Sequence, residues 1–460
     1  MPTTSEAVKP DLPRVLNLSH AIAIVVGTII GSGIFLVPQE MMRAVGSSSL
    51  VYLAWIVGGL LSLFGAMTYA ELGSVRPYAG GEYVYLRDAY GDLVAFLYMW
   101  TWFAVAKPAS IATVTIGFAR TLGTFHTFAF FDNALIRGPV TVTWAQVVAI
   151  GATWFITGIN YLGMRKAGNF QLIFTWLKGV LIAFVIATCF FGASHGSFAN
   201  FATSFTGARG GFAGFMIALI AALWAYDGWN DLNMVAGEIR NPQRNIPIAL
   251  IAGVLLVGLL FIAVNAAIQF VLPADAIAAT PRPALAAVAT VLGTRGVQIV
   301  TVGMAFSILA GLNGTIMSGA RIPFAAARDG LFFQRIAHIH PRFQSPSTSL
   351  VVQALLSTAL LLVVGRFQQL FELAIFAEWL FYCITATTVF VYRRREPGVE
   401  RPYRVWGYPI VPALFIAAAA VVLYYTFASN LRNSLLGTAL ILAGLPLYYL
   451  IRRNQRAASA

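Results

Sequence analysis

Charged residues are scarce in this 460-residue chain: they make up 10% of it, whereas 59% of its residues are hydrophobic and the mean hydropathy is +0.77. Soluble domains carry about 25% charged residues, so an ordinary soluble protein is excluded. Apolar segments of about 20 residues, the length that crosses a bilayer, recur from end to end. The sequence therefore predicts a polytopic helical membrane protein. Residues 1–17 lack an apolar core, so no cleavable signal peptide is expected.

Cysteine, metal-ligand clusters and nucleotide motifs are also nearly absent. The two cysteines, Cys189 and Cys383, lie inside apolar segments and predict free buried thiols without a disulfide framework. The five histidines show no metal-ligand spacing with cysteines or carboxylates. There is no phosphate-binding glycine loop with Lys-Ser/Thr, which disfavours ATP-driven pumping. We therefore expect no metal, no cofactor and no enzymatic activity.

What the chain does contain is a series of twelve apolar segments. They cover residues 17–45, 48–75, 91–124, 141–160, 167–192, 211–236, 246–271, 286–319, 347–365, 368–392, 409–428 and 433–451. With the N-terminus in the cytoplasm, about two-thirds of the 30 basic residues fall on the cytoplasmic side, as the positive-inside rule requires. This predicts a plasma (inner) membrane protein with both termini inside. It also accounts for the net charge of +13 without nucleic acid.

The first segment is interrupted at its centre by Gly31, Ser32 and Gly33, which weaken a helix. In lipid, each unpaired backbone group costs several kcal/mol, so a break is tolerable only where the backbone lines a cavity or binds something. We interpret the triplet as the exposed backbone of a substrate site. A glycine motif for helix packing is the alternative.

The sixth segment has a similar interruption. A helical run ends near Trp224, and the Asp227-Gly228 pair that follows is a strong turn signal. Interrupted helices at matching positions of two halves point to a transporter site. The predicted organisation is a cytoplasmic tail (1–16), a first inverted repeat with helices 1–5 (17–192), a second with helices 6–10 (211–392), helices 11–12 (409–451) and a second cytoplasmic tail (452–460).

An ordered set of motifs covers nearly the whole chain. They are Gly31-Ser32-Gly33-Ile34-Phe35, Ala70-Glu71-Leu72, Gly80-Gly81-Glu82-Tyr83, Trp224-Ala225-Tyr226-Asp227-Gly228-Trp229-Asn230, Asn241-Pro242-Gln243-Arg244-Asn245-Ile246-Pro247, Gly311-Leu312-Asn313-Gly314 and Trp379-Leu380-Phe381-Tyr382. The set resembles the amino acid–polyamine–organocation superfamily, and within it the L-type amino acid transporters and their bacterial relatives. The resemblance implies an all-α membrane fold with twelve transmembrane helices. This is the leucine-transporter-like five-plus-five inverted repeat, with discontinuous helices 1 and 6.

An amino acid brings an α-carboxylate and an α-ammonium, and a broken helix offers groups for both. Free N–H groups around Ser32 to Ile34 suit the carboxylate. Carbonyls around Thr28 to Ile30 and near Trp224 suit the ammonium. The predicted substrate-binding residues are Ile30, Gly31, Ser32, Gly33, Ile34, Trp224, Ala225, Tyr226, Asp227, Gly228, Asn313 and Glu378.

Three of these side chains carry further expectations. Trp224 matches the aromatic gate that the family places over the substrate; a core tryptophan is the alternative. Asp227, an ionisable residue at membrane depth, either reaches a cationic substrate side chain or caps the half-helix that begins near Trp229. Glu378 departs from the family, which commonly has Asn there, and a carboxylate at that point either contacts a substrate side chain or titrates with a proton.

Lys178 stands alone in the fifth segment and should face protein or a water pocket. The resemblance places its ammonium where sodium-coupled relatives hold an ion, as a substitute for the sodium site, and so predicts sodium independence. A desolvated lysine that cycles a proton and a structural lysine paired with a carboxylate are the alternatives.

Other charged residues are given structural roles. Lys107 is interpreted as structural, and Glu71 and Glu238 as interfacial ion pairs near Arg76 and Arg240. Two amphipathic stretches, after residue 81 and over residues 321–342, are expected at the cytoplasmic face of the membrane.

The resulting expectation is a sodium-independent L-amino acid antiporter that works by alternating access. It would exchange neutral amino acids, with possible cationic breadth; a proton-coupled uptake permease is the alternative. A membrane-embedded enzyme and a channel are disfavoured. Animal L-type transporters hold a heavy chain through a cysteine between segments three and four. Residues 125–140 contain none, so no disulfide-linked heavy chain is expected.

Overall fold

The computed structural model describes residues 12–31, 33–136, 141–192, 194, 196–363, 367–429 and 431–459. Long apolar segments fold as helices because a helix satisfies its own backbone groups where water is absent. The helices are α1 (Leu18–Ile29), α2 (Gly33–Val45), α3 (Ser48–Val75), α4 (Glu82–Tyr90), α5 (Asp92–Thr101), α6 (Lys107–Leu122), α7 (Trp144–Tyr161), α8 (Met164–Gly192), α9 (Gly211–Ala225), α10 (Asp231–Met234), α11 (Pro242–Val271), α12 (Ala274–Ala279), α13 (Pro283–Gly319), α14 (Arg321–Arg328), α15 (Ser347–Val363), α16 (Phe367–Arg395), α17 (Ile410–Ser429), α18 (Leu431–Leu442) and α19 (Gly444–Ser459).

Little regular structure of other kinds accompanies these helices. A π-helical turn (Trp102–Ala106) joins α5 to α6, and β1 (Ala134–Ile136) pairs antiparallel with β2 (Val142–Thr143). Short 3-10 helices span His126–Asp132, Phe198–Ala202, Ala236–Glu238 and Gln334–Ala337.

Seven helical spans in the described part of the chain are long and apolar enough to cross a membrane. They are Ser48–Val75, Asp92–Leu122, Met164–Gly192, Pro242–Val271, Pro283–Arg328, Ile410–Ala428 and Leu431–Arg453. The predicted all-helical, multi-pass membrane architecture is thus confirmed. The predicted segments 17–45 and 211–236 do not appear as single spans because each is divided into two helices. The count of twelve spans and the inverted repeat stay predictions.

The two divided segments lie against each other in the centre of the molecule. α2 packs along α9, and α1 contacts α10. α1 is also enclosed by α8, α11 and α13, so most of its side chains are buried. Residues near the ends of α1 and α9 are therefore surrounded by protein from several other helices.

The structure corrects the predicted ion-pair partners. Glu71 pairs with Arg393 at 2.6 Å and with Arg401 at 3.5 Å, not with its neighbour Arg76. Glu238 pairs with Arg321 at 2.8 Å, and both side chains are fully buried. These partners come from segments that are distant in sequence, so the ion pairs connect different helices and are not confined to one loop.

The two amphipathic stretches are packed against the rest of the protein. Each contains a helix, α4 and α14, and the residues from Glu82 to Leu86 and from Arg321 to Ala327 are buried. Both helices therefore pack into the protein, and their position at the cytoplasmic face of the membrane stays a prediction.

Candidate substrate site

The first helix break lies where the glycine triplet predicts it. α1 ends at Ile29, Ile30 has an extended backbone (φ −74°, ψ 93°), and α2 begins at Gly33. Ser32, a predicted site residue, lies outside the described residues. A helix end leaves carbonyl groups without intrahelical partners, so the end of α1 needs donors from elsewhere in the protein.

Lys178 on α8 supplies those donors. Its Nζ donates to the Gly27 carbonyl at 2.6 Å and also to the Ile30 carbonyl, and the side chain is 1% exposed. Ser307 Oγ donates more weakly to Ile30 at 3.4 Å. The alternative in which Lys178 pairs with a carboxylate is wrong, because its hydrogen bonds go to backbone carbonyls of the broken helix.

The second break lies between α9 and α10. α9 ends at Ala225 and α10 begins at Asp231, with Gly228 between them at φ +103°, a conformation that favours glycine. α10 has no side-chain hydrogen bond at its N-cap. The alternative in which Asp227 caps this half-helix is therefore wrong.

The two breaks contact each other directly. Thr28 Oγ1 donates to the Gly228 carbonyl at 2.8 Å. A Cβ atom on Gly33 would lie 3.2 Å from Trp224 Cζ3 and 3.7 Å from Ala225, so Gly33 packs closely against the end of α9. The structure thus brings the first break into contact with predicted site residues of the second break, Trp224, Ala225 and Gly228.

Side-chain burial separates the members of this set. Ile30, Ile34 and Tyr226 are at most 1% exposed, and Tyr226 Oη donates to the Trp55 carbonyl at 3.3 Å. The side chains of these three residues are therefore enclosed by protein. Trp224 is 36% exposed, and its indole lies beside Gly33.

Two carboxyl side chains converge on one hydroxyl at the second break. Asp227 and Glu378 are both partly exposed, and Tyr382 on α16 lies between them. The Tyr382 oxygen lies 2.8 Å from Asp227 Oδ1 and 3.1 Å from Glu378 Oε1. Glu378 therefore lies beside the second break, and its contact with a substrate side chain stays a prediction.

Behind this pair a polar network runs toward α4. The Asn230 Oδ1 atom lies 2.9 Å from the Tyr382 hydroxyl, and its amide nitrogen donates to Glu82 at 3.0 Å. Tyr98 also donates to Glu82, which is fully buried. Lys107 Nζ donates to Asp231 at 2.6 Å, in agreement with a structural role for that lysine.

Asn313 is placed elsewhere. It is fully buried and bonds to Asn160 at 2.8 Å and to Gln171 at 2.7 Å, and Gln171 in turn donates to the Ala23 carbonyl. The structure therefore puts Asn313 in a closed network that links α7, α8 and α13. It does not bring the Asn313 side chain to the second break.

Sequence reasoning gave no role to Tyr382, Asn230 or Glu82. A signal existed for Tyr382, since residues four apart on a helix share a face and Tyr382 follows Glu378 by four. No comparable spacing connects Glu82 to Asn230. Among the described residues, no group of three His, Cys, Asp or Glu side chains is arranged to hold a metal.

Comparison with known proteins identifies the family. The family model described as amino acid permease matches residues 16–449, nearly the whole chain. The chain belongs to the amino acid permease family. This permease is 32% identical to the serine/threonine exchanger SteT of Bacillus subtilis over 447 residues, which cover 96% of the permease and 98% of the exchanger.

Other relatives extend the comparison. The b(0,+)-type amino acid transporter 1 of Mus musculus is 32% identical over 97% of the permease and 90% of its own length. The human cystine/glutamate transporter is 28% identical over 96% and 86%. The resemblance to the amino acid–polyamine–organocation superfamily is thereby confirmed, as is amino acid transport instead of catalysis.

Proposed function

We propose that this permease is a sodium-independent exchanger of L-amino acids that works by alternating access. Neutral amino acids are the main substrates, with breadth toward cationic ones. The observation that carries the proposal is the contact between the two helix breaks, where Thr28 bonds to Gly228 and Gly33 adjoins Trp224. Exchange is supported by the serine/threonine exchanger among the relatives.

The first break is proposed to bind the substrate backbone. The N–H groups of the first turn of α2, from Gly33 onward, suit the α-carboxylate because a helix N-terminus favours anions. Carbonyls that end α9, near Trp224 and Ala225, suit the α-ammonium. The Ile30 carbonyl is already engaged by Lys178, so we assign less of the ammonium's coordination to α1 than the sequence alone suggested.

Lys178 is the proposed substitute for a coupling sodium ion. A sodium ion between helices would be coordinated by the carbonyls at the end of a broken helix. Here an ammonium already donates to two of them. Because that charge is covalently attached, no ion has to bind before the substrate does.

The membrane arrangement is proposed as twelve helices in a leucine-transporter-like inverted repeat, in the plasma (inner) membrane with both termini in the cytoplasm. The charge asymmetry of the loops supports the orientation. The proposed permease works without a disulfide-linked heavy chain, in accord with the lack of cysteine in residues 125–140.

Exchange is tested with purified protein in liposomes. Vesicles loaded with unlabelled L-serine should take up labelled L-serine rapidly, and empty vesicles should not. The alternative, a proton-coupled uptake permease, predicts strong accumulation in empty vesicles under an acid-outside gradient. Accumulation of that kind, equal to uptake by loaded vesicles, would refute exchange.

A further inference from the structure

The Tyr382 hydroxyl has more acceptors around it than it has protons. Three oxygens surround it: Asp227 Oδ1 at 2.8 Å, Asn230 Oδ1 at 2.9 Å and Glu378 Oε1 at 3.1 Å. A tyrosine hydroxyl donates one hydrogen bond and accepts others. The hydroxyl can donate to only one of the three, so each of the other two contacts is favourable only if that neighbour donates to the hydroxyl.

Asn230 does not donate to the Tyr382 hydroxyl. Its amide nitrogen is directed to Glu82 at 3.0 Å, which leaves its oxygen facing Tyr382. A carboxyl group can donate only when it carries a proton. The arrangement thus needs at least one proton on the pair formed by Asp227 and Glu378, with Tyr382 as the bridge between them.

The charges around Asp227 and Glu378 also favour a proton on this pair. Lys107 on α6 is the cation that faces the pair, and its Nζ bonds to Asp231 at 2.6 Å. The remaining neighbours are acidic or hydroxylic. Glu82 on α4 is fully buried and accepts from Tyr98, and the Tyr69 ring from α3 packs 6.3 Å from that of Tyr382. Two ionised carboxylates here would lack a counter-charge, which is costly at membrane depth.

We propose that Asp227 and Glu378 together hold a single proton while a neutral amino acid is bound, and that the side-chain cation of a dibasic amino acid takes the place of that proton. This inference rests on the proposed function and specifies its substrate breadth. Both carboxyls are partly exposed beside the Gly228 turn, whereas the Glu82 carboxyl is fully buried. A guanidinium or ammonium that extends from a substrate held at the breaks reaches the pair first.

The exchange then balances in charge. When arginine enters, its guanidinium occupies the deprotonated pair. After it leaves inside, the pair takes one proton from the lumen together with a neutral amino acid and carries both outward. One proton leaves for each arginine that enters, so the exchange of external arginine for internal serine moves no net charge.

The test uses liposomes loaded with L-serine and a trapped pH-sensitive dye. External labelled L-serine measures neutral exchange, and external L-arginine measures cationic exchange, with the membrane potential set by potassium and valinomycin. We expect arginine entry to alkalinise the lumen by about one proton per arginine, at a rate that the potential does not change. In E378Q the rate with arginine relative to serine should fall at least tenfold, and any residual arginine entry should depend on the potential. E400Q, at an exposed position, is the matched control.

The outcomes are distinguishable. Arginine entry that is driven by the potential without lumenal alkalinisation overturns the shared proton. Serine exchange without arginine entry also overturns it, but leaves the proposed exchanger intact. No exchange with either substrate, from protein that elutes as a single folded species, overturns the exchanger itself. D227N with E378Q serves as a second variant: proton movement that persists in it contradicts the assignment to this pair.

Discussion

The two helix breaks of this permease differ in charge. The first, between α1 and α2, is held by a cation: Lys178 bonds to the Gly27 and Ile30 carbonyls. The second, between α9 and α10, carries the carboxyls of Asp227 and, from α16, Glu378. Both breaks interrupt a helix, but the groups brought to them are opposite in sign.

This difference suggests a division of labour. The first break offers N–H groups and a fixed positive charge, which suit the part common to all amino acids. The second offers carboxyls, which discriminate among side chains. If the division is correct, variants at the first break should impair transport of every substrate. Variants at the second should change the ratio between substrates.

The largest effect is expected for Lys178→Met. A hydrogen bond to a charged group contributes about 1.5–3 kcal/mol, so loss of one alone should slow exchange roughly 10- to 150-fold. The loss should be equal for neutral and cationic substrates. Lys166→Met, at an exposed lysine of the same helix, should leave the rate unchanged. Initial rates of liposome exchange measure both, and a loss confined to arginine would contradict the division of labour.

A smaller effect is expected for Gly228→Ala. The backbone there has φ +103°, and a Cβ would lie 3.2 Å from the Thr28 carbonyl, so the variant should lose about 1–3 kcal/mol of stability. Gly179→Ala, where a Cβ meets nothing within 4 Å in the middle of α8, should gain a few tenths to about 1 kcal/mol. Thermal unfolding in detergent compares the two. Equal melting temperatures would argue against the tight contact between the breaks.

The smallest effect is expected for Thr28→Val, which removes the hydrogen bond between the two breaks. A neutral hydrogen bond contributes about 0.5–1.5 kcal/mol, so exchange should fall several-fold. Thr115→Val is the matched control, because the buried Thr115 hydroxyl has acceptors only in its own helix, whereas the Thr28 hydroxyl has two there and the Gly228 carbonyl besides. If both variants retain the wild-type rate, the bond to Gly228 plays no part in transport.

Local sequence signals predicted the breaks and the fixed charge well. Gly31 and Gly33, the Asp227-Gly228 turn and a lone lysine within an apolar segment each have a meaning that depends on a few neighbouring residues. The structure places all of them at or beside the breaks. Their partners come from helices that are distant in sequence, because α8 packs on α1 and α9 packs on α2.

Long-range pairing was beyond sequence reasoning. Glu71 has Arg76 nearby in the chain, but it pairs with Arg393 because α3 and α16 lie side by side. Asn313 resembles a site residue by motif, yet its amide is used by Asn160 and Gln171. The link from Tyr382 through Asn230 to Glu82 joins three separate segments. No spacing along one segment reveals such contacts.

Lys178 is proposed to replace a coupling ion at the end of α1. The most direct measurement compares the initial rate of L-serine exchange by the wild-type permease in sodium chloride and in choline chloride, with sodium removed from both sides of the vesicles. Equal rates are expected if the Lys178 ammonium takes the place of the ion. A rate that falls to background in choline and rises with sodium in a saturable manner would contradict it.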